Sequence, residues 1–168
     1  MGSATLSVEE YLRSSYSPDR EYLDGAIVER HLGEKTHGRT QRGLITYIDS
    51  RAQRLGIEVI PEQRVQVSAT RFRIPDVIVA TLPQPDEEIV STPPHLCIEV
   101  LSKDDTMNDM QERIDDYLDF GVPYVWIVNP WKRKGYVVTR AGLVEAKSGI
   151  LETHNPDITL PLNELFGE

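Results

Sequence analysis

The 168-residue sequence predicts an α/β domain, a mixed sheet covered by helices on both faces. Two observations carry that prediction. The runs Val77-Ile78-Val79-Ala80 and Leu96-Cys97-Ile98-Glu99-Val100-Leu101 have the length and continuous apolar character of strands buried on both faces. A long segment between Leu101 and Tyr124 carries the period of an amphipathic helix. At this length one domain, spanning residues 1–168, hides about two-thirds of the surface that its unfolded chain exposes.

In chain order, Ser7 stands three before Glu10, a reciprocal capping arrangement that opens a helix running to about Ser15. Glu21 to Arg30 reads as a hairpin turned at Asp24-Gly25. A second helix is expected from near His37 to Leu55, since Leu44, Ile45, Ile48, Ala52 and Leu55 recur at helical spacing and Gly56 can end it. Strands follow at Ile57 to Ile60, Arg64 to Val67, Val77 to Ala80 and Leu96 to Leu101. At about 100° per residue, Met107, Ile114, Tyr117, Leu118 and Phe120 fall within about 80° of Met110, and the acids fall outside that arc. Arg113 is the one charge inside it. Thr106 with Asp109 caps this helix, and Gly121 followed by Pro123 ends it. Tyr124 to Val128 is a buried strand, Lys132 to Gly135 a turn into Tyr136 to Arg140, Lys147-Ser148-Gly149 a hairpin, and Pro161 to Phe166 a final turn.

Composition excludes several classes. No apolar run approaches the roughly 20 residues of a membrane span, so no membrane partner is expected. The N-terminus shows no basic and apolar leader, and a lone Cys97 forms no internal disulfide, so the expected compartment is the cytoplasm. His31, His37, His95 and His154 with Cys97 show no zinc-ligand spacing. The net charge of −9 is unevenly placed. Residues 30–73 hold nine Lys or Arg against four acids, a balance of +5, whereas residues 74–128 hold two against twelve, a balance of −10. A basic lobe beside an acidic one suits a polyanion held near bound cations. Solvated helix faces are the alternative for any single charge.

Two acids break the strand pattern. Glu99 is centred in a run expected to be buried on both faces, where an unpaired charge costs several kcal/mol, so it needs a cation or a proton. Asp76 follows Pro75 at the entrance of another strand. Two hard oxygen ligands with a main-chain carbonyl between them are what Mg²⁺ takes, water and phosphate filling the remaining positions. Arg113 is either the facing cation of such a site or half of a buried structural ion pair with Glu99. His37 opens the basic helix carrying Arg39 and Arg42, where a phosphate can dock on side chains and helix N-terminus together.

Four ordered segments carry a resemblance: Arg20-Glu21-Tyr22-Leu23-Asp24-Gly25, Arg73-Ile74-Pro75-Asp76-Val77, Ile98-Glu99-Val100-Leu101-Ser102, and Tyr117 with Gly121-Val122-Pro123-Tyr124-Val125-Trp126. Together they resemble the Uma-type putative restriction endonucleases of the PD-(D/E)XK nuclease superfamily, over Ser7 to Arg140. The resemblance implies a restriction-endonuclease-like fold, Mg²⁺ dependence with Mn²⁺ as a substitute, and hydrolysis of phosphodiester bonds in nucleic acid, expected to be DNA. A homodimer is admitted by the resemblance alone. Asp76 matches the metal-binding Asp, Glu99 the second acid and Glu21 the acid of the N-terminal element. The superfamily's lysine usually stands two residues after the second acid, where this chain has Leu101; in Uma-type proteins it comes from the following helix, where this chain has Arg113.

The expectation is therefore that Asp76, Glu99 and the Val100 carbonyl hold the metal, and that Glu21 positions a water or second ion. Arg113 neutralises phosphoryl charge but, with a pKa above about 12, cannot act as a base. His37, Arg39, Arg42, Arg73 and Lys103 are expected to contact nucleic acid. The alternative is a catalytically impaired nuclease fold that binds nucleic acid or protein without cutting.

Overall fold

The structure, a computed structural model, describes residues 5–31 and 34–166. It opens with α1 (Val8–Leu12), then the hairpin β1 (Glu21–Leu23) and β2 (Ala26–Val28), the helices α2 (Lys35–Asp49) and α3 (Ala52–Leu55), and strands β3 (Ile57–Pro61), β4 (Val65–Ser68), β5 (Arg71–Arg73), β6 (Val77–Thr81) and β7 (Leu96–Val100). Helix α4 (Met107–Phe120) leads to β8 (Tyr124–Asn129), β9 (Lys134–Thr139), β10 (Gly142–Glu145), β11 (Ile150–Thr153), β12 (Ile158–Pro161) and α5 (Asn163–Phe166). Among the described residues no helix is long and apolar enough to cross a membrane.

A six-stranded sheet in the order β10-β9-β8-β7-β6-β3 forms the centre. Its pairs are antiparallel except β7 and β8, where α4 supplies the crossover that a parallel pair needs. Alternate residues serve opposite faces. Val77, Val79, Leu96, Ile98, Val100 and Trp126 pack with Leu44 and Ile48 of α2, and with Leu151, Ile158 and Leu160 of the β11-β12 hairpin. Ile78, Cys97, Val125 and Ile127 pack with Met110, Ile114 and Tyr117 of α4. A four-stranded sheet, β2-β1-β5-β4, is held to α1 by the Tyr11, Tyr22 and Phe72 rings.

Local chemistry explains where elements begin and end. Ser7 Oγ accepts from the Glu10 N–H at 3.1 Å while Glu10 Oε2 accepts from the Ser7 N–H at 2.8 Å, the expected capping box. Helix α1 stops at Leu12, short of Ser15; the Ser14 hydroxyl takes up the Tyr11 carbonyl. The expected helix from His37 to Leu55 is two helices. Ser50 Oγ and Arg51 Nη1 both donate to the Tyr47 carbonyl at 2.8 Å, and these side-chain bonds accompany the break after Asp49. Gly56 ends α3 at φ 65°, as its position predicted.

Two expectations are corrected. Met107 lies on the apolar arc of α4 by angle, yet it sits in the first turn and is 90% exposed. No hairpin forms around Lys147-Ser148-Gly149: β10 pairs back with β9, β11 pairs onward with β12, and the turn carries the chain across the sheet. Gly135 on β9 makes that crossing close, because a Cβ there would come within 3.0 Å of Leu151 Cδ2 and 3.1 Å of Leu162 Cδ2.

Candidate active site

Register brings the two unexpected acids together. In the antiparallel pairing of β6 with β7, Val77 opposes Ile98; one step beyond the end of β6, Asp76 falls beside Glu99. The Val100 N–H donates to Asp76 Oδ2 at 2.7 Å. Both acids are buried, at 5% and 3% exposure, on the side of the sheet covered by α4. Glu21, Arg30, His37, Asp76, Glu99, Val100, Ser102, Asp105 and Arg113 line one small cavity of about 20 Å³, room for about one water or ion. A hollow of about 550 Å³ lies elsewhere, beside Lys134, Glu145, Lys147 and Leu162. It is larger but chemically poorer, since its one carboxylate is paired with Lys134 at 3.2 Å.

Each acid has a different electrostatic setting. Burial acts to raise Asp76, but the His37 hydrogen bond and charge, the Val100 N–H and Arg30 together hold it below the ordinary carboxylate range. His37 Nε2 lies 3.3 Å and Arg30 Nη2 3.4 Å from its oxygens. Glu99 is pushed up to about 8, first by burial and then by the facing Asp76 charge. The Tyr117 hydroxyl donates to Glu99 Oε1, and Arg113 Nη1 stands 4.0 Å from Oε2. Arg113 also reaches Asp105 Oδ1 at 3.3 Å, so the one charge on the apolar arc of α4 is directed at acids, as its place on that arc suggested.

Glu21 lies on the same cavity with a structural task of its own. Its Oε1 accepts from the Ile74 N–H at 3.0 Å and its Oε2 from Arg73 Nη1 at 3.0 Å. It thus anchors the chain two residues before Asp76, and the lone pairs left over are what it can offer a water.

The expected nucleic-acid contacts divide. Arg73 is corrected: it is 3% exposed and bound to Glu21 and, through Nε at 2.7 Å, to Asp116. Burial lowers its affinity for the proton, but the Glu21 and Asp116 carboxylates outweigh this and keep it charged. His37 faces Asp76. Arg39 and Arg42 are exposed on α2, and Lys103 is exposed beside the cavity with its Nζ 4.5 Å from the Trp131 ring centre. The +5 segment is also thinner than its count suggests. Arg30 pairs with Asp76 and Glu62, Arg64 with Asp19, and Arg71 with Asp24, Glu112 and Asp116. Arg30, Asp105 and the Tyr117 hydroxyl complete the site and have no mark of that role in the sequence. Arg30 meets Asp76 across 46 positions, so no local pattern marks it.

Among the described residues no group of three or more His, Cys, Asp or Glu side chains is set to hold a metal. The donor set is two carboxylates and a carbonyl. It suits Mg²⁺, which keeps several waters and binds through one or two carboxylates. The Asp76 charge adds to the cost of ionising Glu99, a cost that a cation between them would relieve.

A mixed sheet between helices, with paired acids at neighbouring strand ends, is a restriction-endonuclease-like fold. The chain belongs to the Uma2 family, described as "Putative restriction endonuclease", whose family model matches residues 8–167. Its structure is similar to a crystal structure from Anabaena variabilis ATCC 29413, described as "a putative nuclease belonging to DUF820", with a TM-score of 0.82 and 19% identity over 96% of this chain and 97% of that one. A cryo-electron microscopy structure of a DrdV-DNA complex overlaps 66% of this chain and 12% of that one at 15% identity, with a TM-score of only 0.40. No curated protein matches.

Proposed function

We propose that this chain is a metal-dependent nuclease that hydrolyses phosphodiester bonds of DNA. The observation that carries the reading is the buried pair Asp76 and Glu99, brought together by the β6-β7 register in a cavity sized for one ion and faced by Arg113. Family membership supports the same reaction class.

Asp76, Glu99 and the Val100 carbonyl would hold Mg²⁺, or Mn²⁺ in its place. Once held there, the ion would supply Lewis-acid chemistry that makes a water easier to deprotonate. Asp76 is kept ionised by His37, Arg30 and the Val100 N–H. Glu99 is oriented by the Tyr117 hydroxyl. Arg113, permanently protonated, holds a phosphate oxygen and stabilises charge that develops during in-line attack. Glu21 fixes the backbone leading into Asp76 and orients water with its remaining lone pairs. Arg39, Arg42 and Lys103 hold the nucleic-acid backbone.

Plasmid DNA incubated with Mg²⁺ and protein tests the reading. Wild-type protein should nick it, and Asp76→Asn at matched purity should not; equal cleavage by the two ends the nuclease claim. The arginine in the lysine position favours one second reading, an impaired nuclease fold that binds without cutting. Arg113→Lys separates them: lost cleavage shows that the arginine works, and a large gain supports impairment.

A further inference from the structure

Residues between β8 and β9 gather features that catalysis does not use. Trp131 is 43% exposed, whereas the other tryptophan, Trp126, is fully buried. Asn129 Oδ1 accepts from the Trp131 N–H at 3.1 Å and the Lys132 N–H at 3.0 Å, which fixes the turn that displays both side chains. Lys103, one residue past the cavity-lining Ser102, rests its ammonium 4.5 Å from the Trp131 ring centre. The Lys103 and Lys132 ammonium groups form no salt bridge among the described residues, while the Lys103 main-chain N–H donates to Glu34 Oε1 at 3.4 Å. Beside the turn, a mostly apolar groove of about 400 Å³ has Asn129, Lys132 and Tyr136 in its lining and Asp105 in common with the catalytic cavity.

A half-exposed indole with one ammonium resting on its ring and a second lysine beside it, next to a cavity lined by paired acids, is the equipment of a surface that stacks a base and holds the phosphates beside it. We infer that Trp131, with Lys103 and Lys132, is a subsite for an unpaired nucleotide of the substrate strand, so that the preferred substrate is single-stranded at or next to the cut. This rests on the nuclease reading and names its substrate class. Stacking needs an open base face; inside a duplex each face is covered by a neighbour.

The test is tryptophan emission during titration with an oligothymidylate of about 12 nucleotides in EDTA, with binding followed independently by anisotropy. Saturable quenching and protection from acrylamide are expected in the wild type and absent in Trp131→Ala, which should bind about tenfold more weakly. Lys132→Ala should weaken binding at low salt. The inference is overturned by absent binding, by binding without quenching, by undiminished affinity in Trp131→Ala, or by a blunt duplex that quenches as strongly as the single strand. Cleavage assays run alongside keep the two readings apart. Asp76-dependent cleavage with an unaffected Trp131→Ala removes the subsite alone, whereas cleavage indifferent to Asp76→Asn removes the nuclease reading even where quenching persists.

Discussion

Glu99 is held at about 8 because burial and the Asp76 charge both favour its protonated form, with Arg113 at 4.0 Å only a partial offset. An ordinary glutamate titrates at 4.5, so between 4.5 and about 8 the folded metal-free chain binds this proton more tightly than the unfolded one does. Stability contributed by this group is therefore lost as the pH rises through that window. Urea unfolding without metal, at about pH 5 and about pH 8, should show the wild type losing up to a few kcal/mol more than Glu99→Gln. Equal losses would mean that Glu99 titrates normally.

Elements hold these residues in place through packing that a single methyl group can disturb. Gly135→Val should push Leu151 and Leu162 off β9 and cost about 1–3 kcal/mol, read as a lower Tm, because the β11-β12 hairpin seats on that glycine. An unchanged Tm would show that the hairpin is loosely docked. What could be read beforehand follows the same logic. The helix from Met107 to Phe120 and the strand around Glu99 declare themselves by local period. The three residues of β5 are too few to do so, and β10 is exposed along most of its length and shows no buried face. Asp76, Glu99 and Arg113 stood out because each violates the pattern of its own element. Arg73 read as a surface cation because nothing near it in the chain shows the Glu21 and Asp116 that bury it. Ion pairs made across forty or more positions are set by topology and leave no local trace.

At the scale of the whole molecule, a chain of net charge −9 binds a polyanion only through cations that its own acids leave free. Arg71 and Arg73 are drawn into the acids of α4, whereas the exposed Arg39, Arg42, Lys103 and Lys132 form no salt bridge among the described residues and are the cations proposed to meet phosphates. Binding measured against salt should give a slope of log K on log salt of about −3 for single strands, and each substitution of one of these four by alanine should reduce it by about 0.7. An unchanged slope in Arg39→Ala and Arg42→Ala would place the nucleic acid on another face.

The paired acids are the foundation of all of this, and a crystal soaked in Mn²⁺ examines them directly. Anomalous density is expected between Asp76 and Glu99 in the wild type and missing from Asp76→Asn. A well-ordered soaked crystal with no anomalous peak there, or with one that survives Asp76→Asn, would contradict the account.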